Sequence, residues 1–233
     1  MVGGVDATVV PVLLGALTWL VVGLWTAGPG WRLQDERLRA VGDAPMGRLA
    51  LTWLVLLIGA AALLAGRALP GVAGPVAVAM AGSPAMLLDA RTHRLPDACT
   101  RVMAAGVALG VLSRCLVDEG GPTAPLAGVA LGAAVWVVPL WLGSLVRGGV
   151  GLGDVKLAPV LGAMLGTLSW EAAAGGLVLA FLGAGAGALV ALARGRAGLR
   201  SRMAMGPWMI GAALAAVVVW GVVPGWLGVT PGR

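Results

Sequence analysis

The stretch from Leu49 to Ala65 reads LALTWLVLLIGAAALLA, which is 17 residues without a charged side chain. A second apolar run, VAGPVAVAMAGSPAMLL at residues 72–88, follows after a short connection in which only Arg67 is charged. A helix needs about 20 mostly apolar residues to cross the hydrocarbon core of a bilayer, so both runs are short but adequate candidates. Two such runs in succession predict neighbouring membrane-spanning helices.

The composition extends this prediction to the whole chain of 233 residues. Hydrophobic residues make up 59% of it and charged residues 11%, whereas a soluble domain carries about 25% charged residues. A single core cannot hide so much apolar surface, so we expect an all-α polytopic integral membrane helical bundle that forms one membrane domain. Glycine pairs four residues apart allow close helix packing, and they occur at Gly106/Gly110, Gly128/Gly132, Gly162/Gly166 and Gly183/Gly187.

The same numbers exclude several other classes of protein. The apolar content is too high for a disordered chain. Two cysteines, Cys99 and Cys115, do not make a disulfide scaffold, and with the single histidine, His93, they offer little for a zinc site. The net charge of +6 could indicate nucleic-acid binding. The basic residues are spread over short loops, however, so we expect no nucleic-acid partner.

Apolar runs between charged residues give eight candidate spans, at residues 9–27, 49–65, 72–88, 98–117, 125–146, 150–170, 172–193 and 207–225. The first run has no preceding basic residues, so we do not expect a cleaved signal peptide. Thirteen of the 16 basic residues fall in or beside the odd-numbered connections, and the other three are Arg67, Arg114 and Arg233. Because basic residues accumulate on the cytoplasmic side, this asymmetry predicts an N-out/C-out protein of the inner (cytoplasmic) membrane.

Three acidic residues lie outside the tails and solvated loops, namely Asp89, Asp97 and Asp154. Asp89 ends the third predicted span, and Asp154 lies about one turn inside the sixth. Both therefore fall on the cytoplasmic side at similar depth. An ionisable group at membrane depth is costly and is by default a functional candidate. The structural alternative is that each carboxylate pairs with a nearby arginine or with Lys156 as an interfacial anchor.

A close pair of carboxylates offers a definite chemistry. Both cannot ionise easily, so one keeps its proton while the other stays charged. The charged group can accept a proton from water and the protonated group can polarise a peptide carbonyl, as in aspartic proteolysis. No Gly-x-Ser-x-Gly or His-Glu-x-x-His motif is present. If the chain is a hydrolase, we expect an aspartic one that needs no metal or cofactor.

Three motifs resemble those of one family. The segment GLGDVKL at residues 151–157 looks like the Gly-x-Gly-Asp-x-Lys-Leu motif of type IV prepilin peptidases, the polytopic aspartic peptidases of bacteria and archaea. Asp89 and Pro96 are spaced as in that family's Asp-x6-Pro motif. The segment MGPW at residues 205–208 is similar to a family segment that reads Phe-Gly-Pro-Phe.

The resemblance implies that Asp89 and Asp154 are the catalytic pair and that the substrate is the N-terminal leader of a prepilin or pseudopilin, cut at the cytoplasmic membrane face. It also implies that the remaining motif residues surround the substrate, and these are Gly151, Gly153, Lys156, Pro96, Gly206 and Pro207. Glycines beside an aspartate let an extended peptide backbone come close. The pilus, secretion or competence system that is served, and the oligomeric state, are left open.

Departures from the family pattern lead to further expectations. Larger members carry a cysteine-rich cytoplasmic insert after the first span and also methylate the new N-terminus, whereas the corresponding loop here has no cysteine. We therefore expect peptidase activity without N-methyltransferase activity. We expect Asp97 to be a helix N-cap, and Lys156 to face lipid phosphates or substrate because two positions along a helix turn it away from Asp154.

Other functions remain open at this point. A proton- or cation-coupled transporter or channel subunit could use the same aspartates, although carrier sites usually lie at the midplane. A presenilin-like protease would pair Gly-x-Gly-Asp with a Tyr-Asp motif, and this chain has no tyrosine. The third alternative is a scaffold that kept the fold and lost the activity.

Overall fold

The computed structural model describes residues 8–146, 150–195 and 204–226. Within these ranges every regular element is helical and there is no strand, which confirms the predicted all-α bundle. The helices are α1 (Val9–Trp25), α2 (Trp31–Ala40), α3 (Arg48–Ala65), α4 (Ala73–Thr92), α5 (Asp97–Val117), α6 (Thr123–Ser144), α7 (Leu152–Gly166), α8 (Trp170–Ala193), α9 (Gly206–Ala216) and α10 (Val223–Trp226). Two π-helical segments, Thr26–Gly30 and Val217–Val222, join α1 to α2 and α9 to α10.

Six helical units in the described ranges are long and apolar enough to cross a bilayer: Val9–Ala40, Arg48–Ala65, Ala73–Thr92, Asp97–Val117, Thr123–Ser144 and Trp170–Ala193. The helix α7 and the unit Gly206–Val222 are shorter. Large apolar side chains such as Leu13, Leu57 and Leu182 are exposed, which fits a lipid solvent. A polytopic membrane bundle is thus confirmed, while eight spans and the N-out/C-out orientation stay predictions. Five basic residues behind that orientation lie outside the described residues, namely Arg147, Arg196, Arg200, Arg202 and Arg233.

The most deeply buried helix is α4. Its small residues, among them Ala77, Ala81 and Ala85, are fully enclosed, and the helix packs against α1, α3, α5 and α9. Small side chains let the surrounding helices approach a central one closely, so dispersion contacts can replace the hydrophobic effect that lipid does not supply. The end of this central helix carries Asp89, which is therefore held by a well-packed element.

The helices α6 and α7 meet along a seam of glycines. A Cβ atom on Gly128 would lie 2.6 Å from the carbonyl oxygen of Gly166, and one on Gly132 would meet the carbonyl oxygen of Gly162 still more closely. The two backbones are consequently in direct contact, as the small-xxx-small pattern predicts. This seam fixes α7, and with it Asp154, against the rest of the bundle.

The first connection is not the loop that the charge pattern predicts. The chain leaves α1 through the π-helical segment that contains Pro29. Proline has no backbone N–H and therefore cannot donate an α-helical hydrogen bond. It then continues as α2, which buries Gln34 and Leu38. The side chains of Trp31 and Gln34 donate hydrogen bonds to the Met46 carbonyl at 3.2 and 3.3 Å. Most of the charged residues that signalled a loop, such as Arg32, Glu36 and Arg39, are exposed on this amphipathic helix.

Candidate active site

Asp89 and Asp154 line the same cavity, which has a volume of about 610 Å³. Asp89 lies near the end of α4 and is 5% exposed. Asp154 lies in the first turn of α7 and is half-buried. The cavity is enclosed by residues from α2, the end of α4, the start of α5 and the start of α7.

Asp89 is oriented by the N-terminus of α9. Its Oδ2 atom accepts a hydrogen bond from the backbone N–H of Gly206 at 3.0 Å, and the first turn of that helix also holds Pro207, which has no N–H to leave unsatisfied. Amides at a helix N-terminus carry partial positive charge and favour a carboxylate. A Cβ atom at position 206 would lie 2.7 Å from Oδ2, so this contact requires glycine.

Asp154 is set by the glycines that precede α7. Gly151 is exposed and forms the N-cap, and its carbonyl accepts the Asp154 N–H at 3.0 Å. A Cβ atom on Gly151 would lie 3.2 Å from Asp154 Oδ2, whereas one on Gly153 would make an ordinary 3.4 Å contact with Leu95. The missing side chain at position 151 therefore leaves open space beside the carboxylate.

Lys156 and Asp97 form an ion pair across the cavity mouth. The Lys156 Nζ atom lies 3.1 and 3.2 Å from the two carboxylate oxygens of Asp97 and links α7 to α5. The prediction that Asp97 caps α5 is wrong, because Pro96 is the N-cap and Asp97, one residue later, turns its carboxylate to the amine. Both side chains are 60% exposed, and such pairs contribute only about 0–1 kcal/mol to stability.

The remaining predicted residues fall at or beside the cavity. Pro96 is buried in its wall, and Pro207 supports the Gly206 contact from the first turn of α9. His93 is the exposed C-cap of α4 with a φ of 51°, and it also lines the cavity. Within the described ranges, no three His, Cys, Asp or Glu side chains gather as they would around a metal ion.

Several cavity residues were missed by the sequence-based prediction, among them Leu33 and Arg37 on α2, Arg94 in the connection between α4 and α5, and Arg101 in the second turn of α5. Leu33 and Arg37 are four residues apart and therefore share one helix face. This spacing could have indicated that the two side chains lie together, but only if the segment had been predicted to be a helix.

Comparison with known proteins places these features in a family. A profile described as the type IV leader peptidase family matches residues 76–229, which include both aspartates. Proteins named prepilin leader peptidase/N-methyltransferase from Burkholderia pseudomallei strains 1026b and K96243 are each 33% identical to this chain over 129 residues. These matches cover 52% of this chain but only 38% of each relative. No solved structure gave a significant match. Since the profile covers more than half of the sequence, the chain belongs to the type IV leader peptidase family.

Proposed function

We propose that this protein is an aspartic endopeptidase that removes the N-terminal leader of prepilins or pseudopilins at the cytoplasmic face of the inner membrane. The observation that carries the proposal is the convergence of Asp89 and Asp154 on one cavity. Family membership supports the substrate class, and so does the name of the Burkholderia relatives.

In the proposed mechanism the two carboxylates share one proton and activate one water molecule. The ionised group takes a proton from that water, and the protonated group donates a hydrogen bond to the oxygen of the scissile carbonyl. Attack by the water oxygen gives a tetrahedral intermediate, and protonation of the amide nitrogen lets the C–N bond break. The Oδ2 atom of Asp89 already accepts a hydrogen bond from the Gly206 N–H. We therefore assign the contact with the water or with the scissile carbonyl to Oδ1.

The position of the cavity suits a substrate with a polar leader and an apolar helix. The apolar helix can remain in the bilayer beside the bundle, while the scissile bond reaches the end of α4 where Asp89 lies. Gly151 is exposed beside Asp154, so an extended backbone can pass without meeting a side chain. The cavity lies at one end of the bundle, which favours this function over a carrier whose site lies at the midplane.

We further propose that the protein does not methylate the new N-terminus. The methylating relatives that the sequence resembles carry a cysteine-rich insert after the first span. In this chain α2 and the short segment 41–47 connect α1 to α3, and they contain no cysteine. Mass spectrometry of the processed product tests this point: the mature N-terminus should be unmethylated, and a mass increase of one methyl group would refute it.

The direct test is co-expression with a prepilin, followed by detection of leader removal. Asp89→Asn and Asp154→Asn each keep the shape of the side chain and remove its titration, so each should abolish cleavage. Asp118→Asn is a matched control, because Asp118 is a partly buried aspartate that pairs with Arg114 away from the cavity. Continued cleavage by either dyad variant, with a correctly folded protein, would show that the pair has been misassigned.

A further inference from the structure

The two aspartates are held in place to different degrees. Asp89 lies near the end of the most deeply buried helix and accepts the hydrogen bond from Gly206. Asp154 lies in the first turn of α7, where no residue before Leu157 is buried and Leu152 is 73% exposed. This turn therefore needs contacts of its own if Asp154 is to keep its place relative to Asp89.

The glycine seam between α6 and α7 is too distant to supply those contacts. Its first residue on α7 is Gly162, which is roughly 12 Å along the helix axis from Asp154 at about 1.5 Å per residue. The first turn of a helix can fray while the later turns stay packed. The seam thus fixes the body of α7 and leaves the position of its first turn to other residues.

The connection between α4 and α5 makes two contacts with this first turn. The Lys156 Nζ atom lies 3.1 and 3.2 Å from the two carboxylate oxygens of Asp97. One turn away, a Cβ atom on Gly153 would lie 3.4 Å from the Cβ atom of Leu95. Both contacts therefore join the residues around Asp154 to the segment that directly follows the helix of Asp89.

Leu95 also reaches the group that orients Asp89. A Cβ atom on Gly206 would lie 3.4 Å from the Cδ1 atom of Leu95, and the Gly206 N–H is the donor to Asp89. Leu95 is partly buried and lines the cavity. One side chain thus lies between the glycine that precedes Asp154 and the glycine that holds Asp89.

Resting on the proposed function, we propose that Leu95, Asp97 and Lys156 are positioning residues that set the place of Asp154 relative to Asp89, and we call these three residues the clamp. Leu95 limits how closely the two sides approach, and the ion pair prevents them from separating. An ion pair this exposed adds little to folding stability. Its effect should appear in catalysis instead, because the reaction requires a precise placement of the reacting groups.

The geometry favours a positioning role for Lys156 over direct contact with the substrate. Its amine is already bound to both oxygens of Asp97, so its charge is compensated where it lies. Two positions along a helix also turn Lys156 by about 200° from Asp154. The lysine therefore connects α7 to α5 and leaves the space beside the dyad to the peptide.

The experiment uses the full chain in phosphatidylcholine nanodiscs with a purified prepilin, and it measures kcat, KM and the melting temperature. The variants are Asp97→Asn, Lys156→Gln and the two combined. Asp43→Asn is the matched control, because Asp43 forms a 2.9 Å ion pair with Arg91 that also joins two elements but does not line the cavity. Arg91 follows Asp89 by the same spacing by which Lys156 follows Asp154.

Asp97→Asn and Lys156→Gln should each lower kcat roughly tenfold and change KM by less than about twofold, because the substrate contacts remain. The combined variant should lose no more than either single variant, since all three remove the same link. The melting temperature should fall by no more than about 4 °C. The control should keep its kcat, because the end of α4 is held by packing.

Two further variants separate position from charge and from substrate contact. Asp97→Lys combined with Lys156→Asp rebuilds the ion pair with its charges exchanged and should restore kcat to within about threefold. Leu95→Ala should lower kcat, whereas Leu95→Met keeps the volume of the side chain and should retain most of it. An exchanged pair that folds but stays slow would show that Lys156 acts directly, which overturns the proposal.

Unchanged kcat in the single variants, a loss confined to KM, or an equal loss in the control would also overturn it. So would a combined variant that is about a hundredfold slower, which is the product of two independent losses. Hydrogen exchange tests the clamp without relying on activity: the first turn of α7 should exchange faster in Asp97→Asn than in Asp43→Asn, and equal exchange would contradict the clamp. Faster exchange without any cleavage by the unsubstituted protein would refute the proposed function and leave the clamp standing.

Discussion

Replacing Gly206 by alanine would separate the carboxylate of Asp89 from the N-terminus of α9. The new Cβ atom would lie 3.3 Å from Cγ of Asp89 and 2.7 Å from its Oδ2 atom, and the second distance is shorter than real Cβ contacts. Because the obstacle is the end of a side chain, the carboxylate would swing aside while the backbone stayed in place. The hydrogen bond from the Gly206 N–H, 3.0 Å long, would then be lost.

The size of the effect follows from that hydrogen bond. A hydrogen bond to a charged group is worth about 1.5–3 kcal/mol. If the variant must bring Asp89 back to this position in the transition state without the hydrogen bond, the cost corresponds to a decrease of about 10- to 150-fold in kcat/KM. The thermal stability should change much less than the activity, because the displaced carboxylate can still reach water in the cavity.

The assay is cleavage of a purified prepilin by the protein in detergent or nanodiscs, with the melting temperature measured in parallel. Gly211→Ala is the matched control, because Gly211 lies on the same helix and a Cβ atom there meets nothing within 4 Å. That control should keep its activity and could gain up to about 1 kcal/mol from helix propensity. If Gly206→Ala cleaves as fast as the unsubstituted protein, or if both variants lose activity equally, Gly206 does not position Asp89.

Two further predictions concern the packing that positions the site. Gly132→Ala should destabilise the bundle by about 1–3 kcal/mol, because its Cβ atom would collide with the backbone of α7. Gly185→Ala is the control, because a Cβ atom there meets only open space and should not lower the stability. Trp136→Phe should cost about 1–3 kcal/mol, because the fully buried Trp136 donates a 2.8 Å hydrogen bond to the Ala173 carbonyl. The exposed Trp170→Phe is its control. Thermal melts check both, and a Gly132→Ala or Trp136→Phe variant as stable as its control would contradict the packing described.

The helices and the two aspartates were accessible from the sequence because both leave local signals. A run of apolar residues must satisfy its backbone hydrogen bonds internally in lipid, so it has to be a helix. A carboxylate inside such a run is unusual enough to mark Asp89 and Asp154 directly. Their convergence is different, since it depends on how α4 and α7 pack. The glycine motif and the family resemblance suggested it, but the composition alone did not.

The wall formed by α2 could not be predicted in the same way. Charged residues usually mark the loops between membrane spans, and the residues of α2 are too polar to resemble a span. The segment is ordered by contacts that are distant in sequence, such as the hydrogen bond from Trp31 to Met46. The error at Asp97 has a similar origin, because its partner Lys156 is 59 residues away in sequence. The contacts of a side chain cannot be predicted from the neighbouring sequence when its partner lies on another helix.

Each aspartate has a glycine beside it, but the two glycines serve different needs. At Gly206 a Cβ atom would lie 2.7 Å from its aspartate, whereas at Gly151 it would lie 3.2 Å from Asp154 Oδ2, a clash that a small rotation relieves. The backbone at Gly151, with φ −70° and ψ 145°, is one that any residue adopts. Neither packing nor backbone strain therefore requires glycine at position 151, and access of the peptide backbone is the remaining reason. Gly151→Ala should accordingly fold normally and raise KM, and an unchanged KM would remove Gly151 from the substrate path.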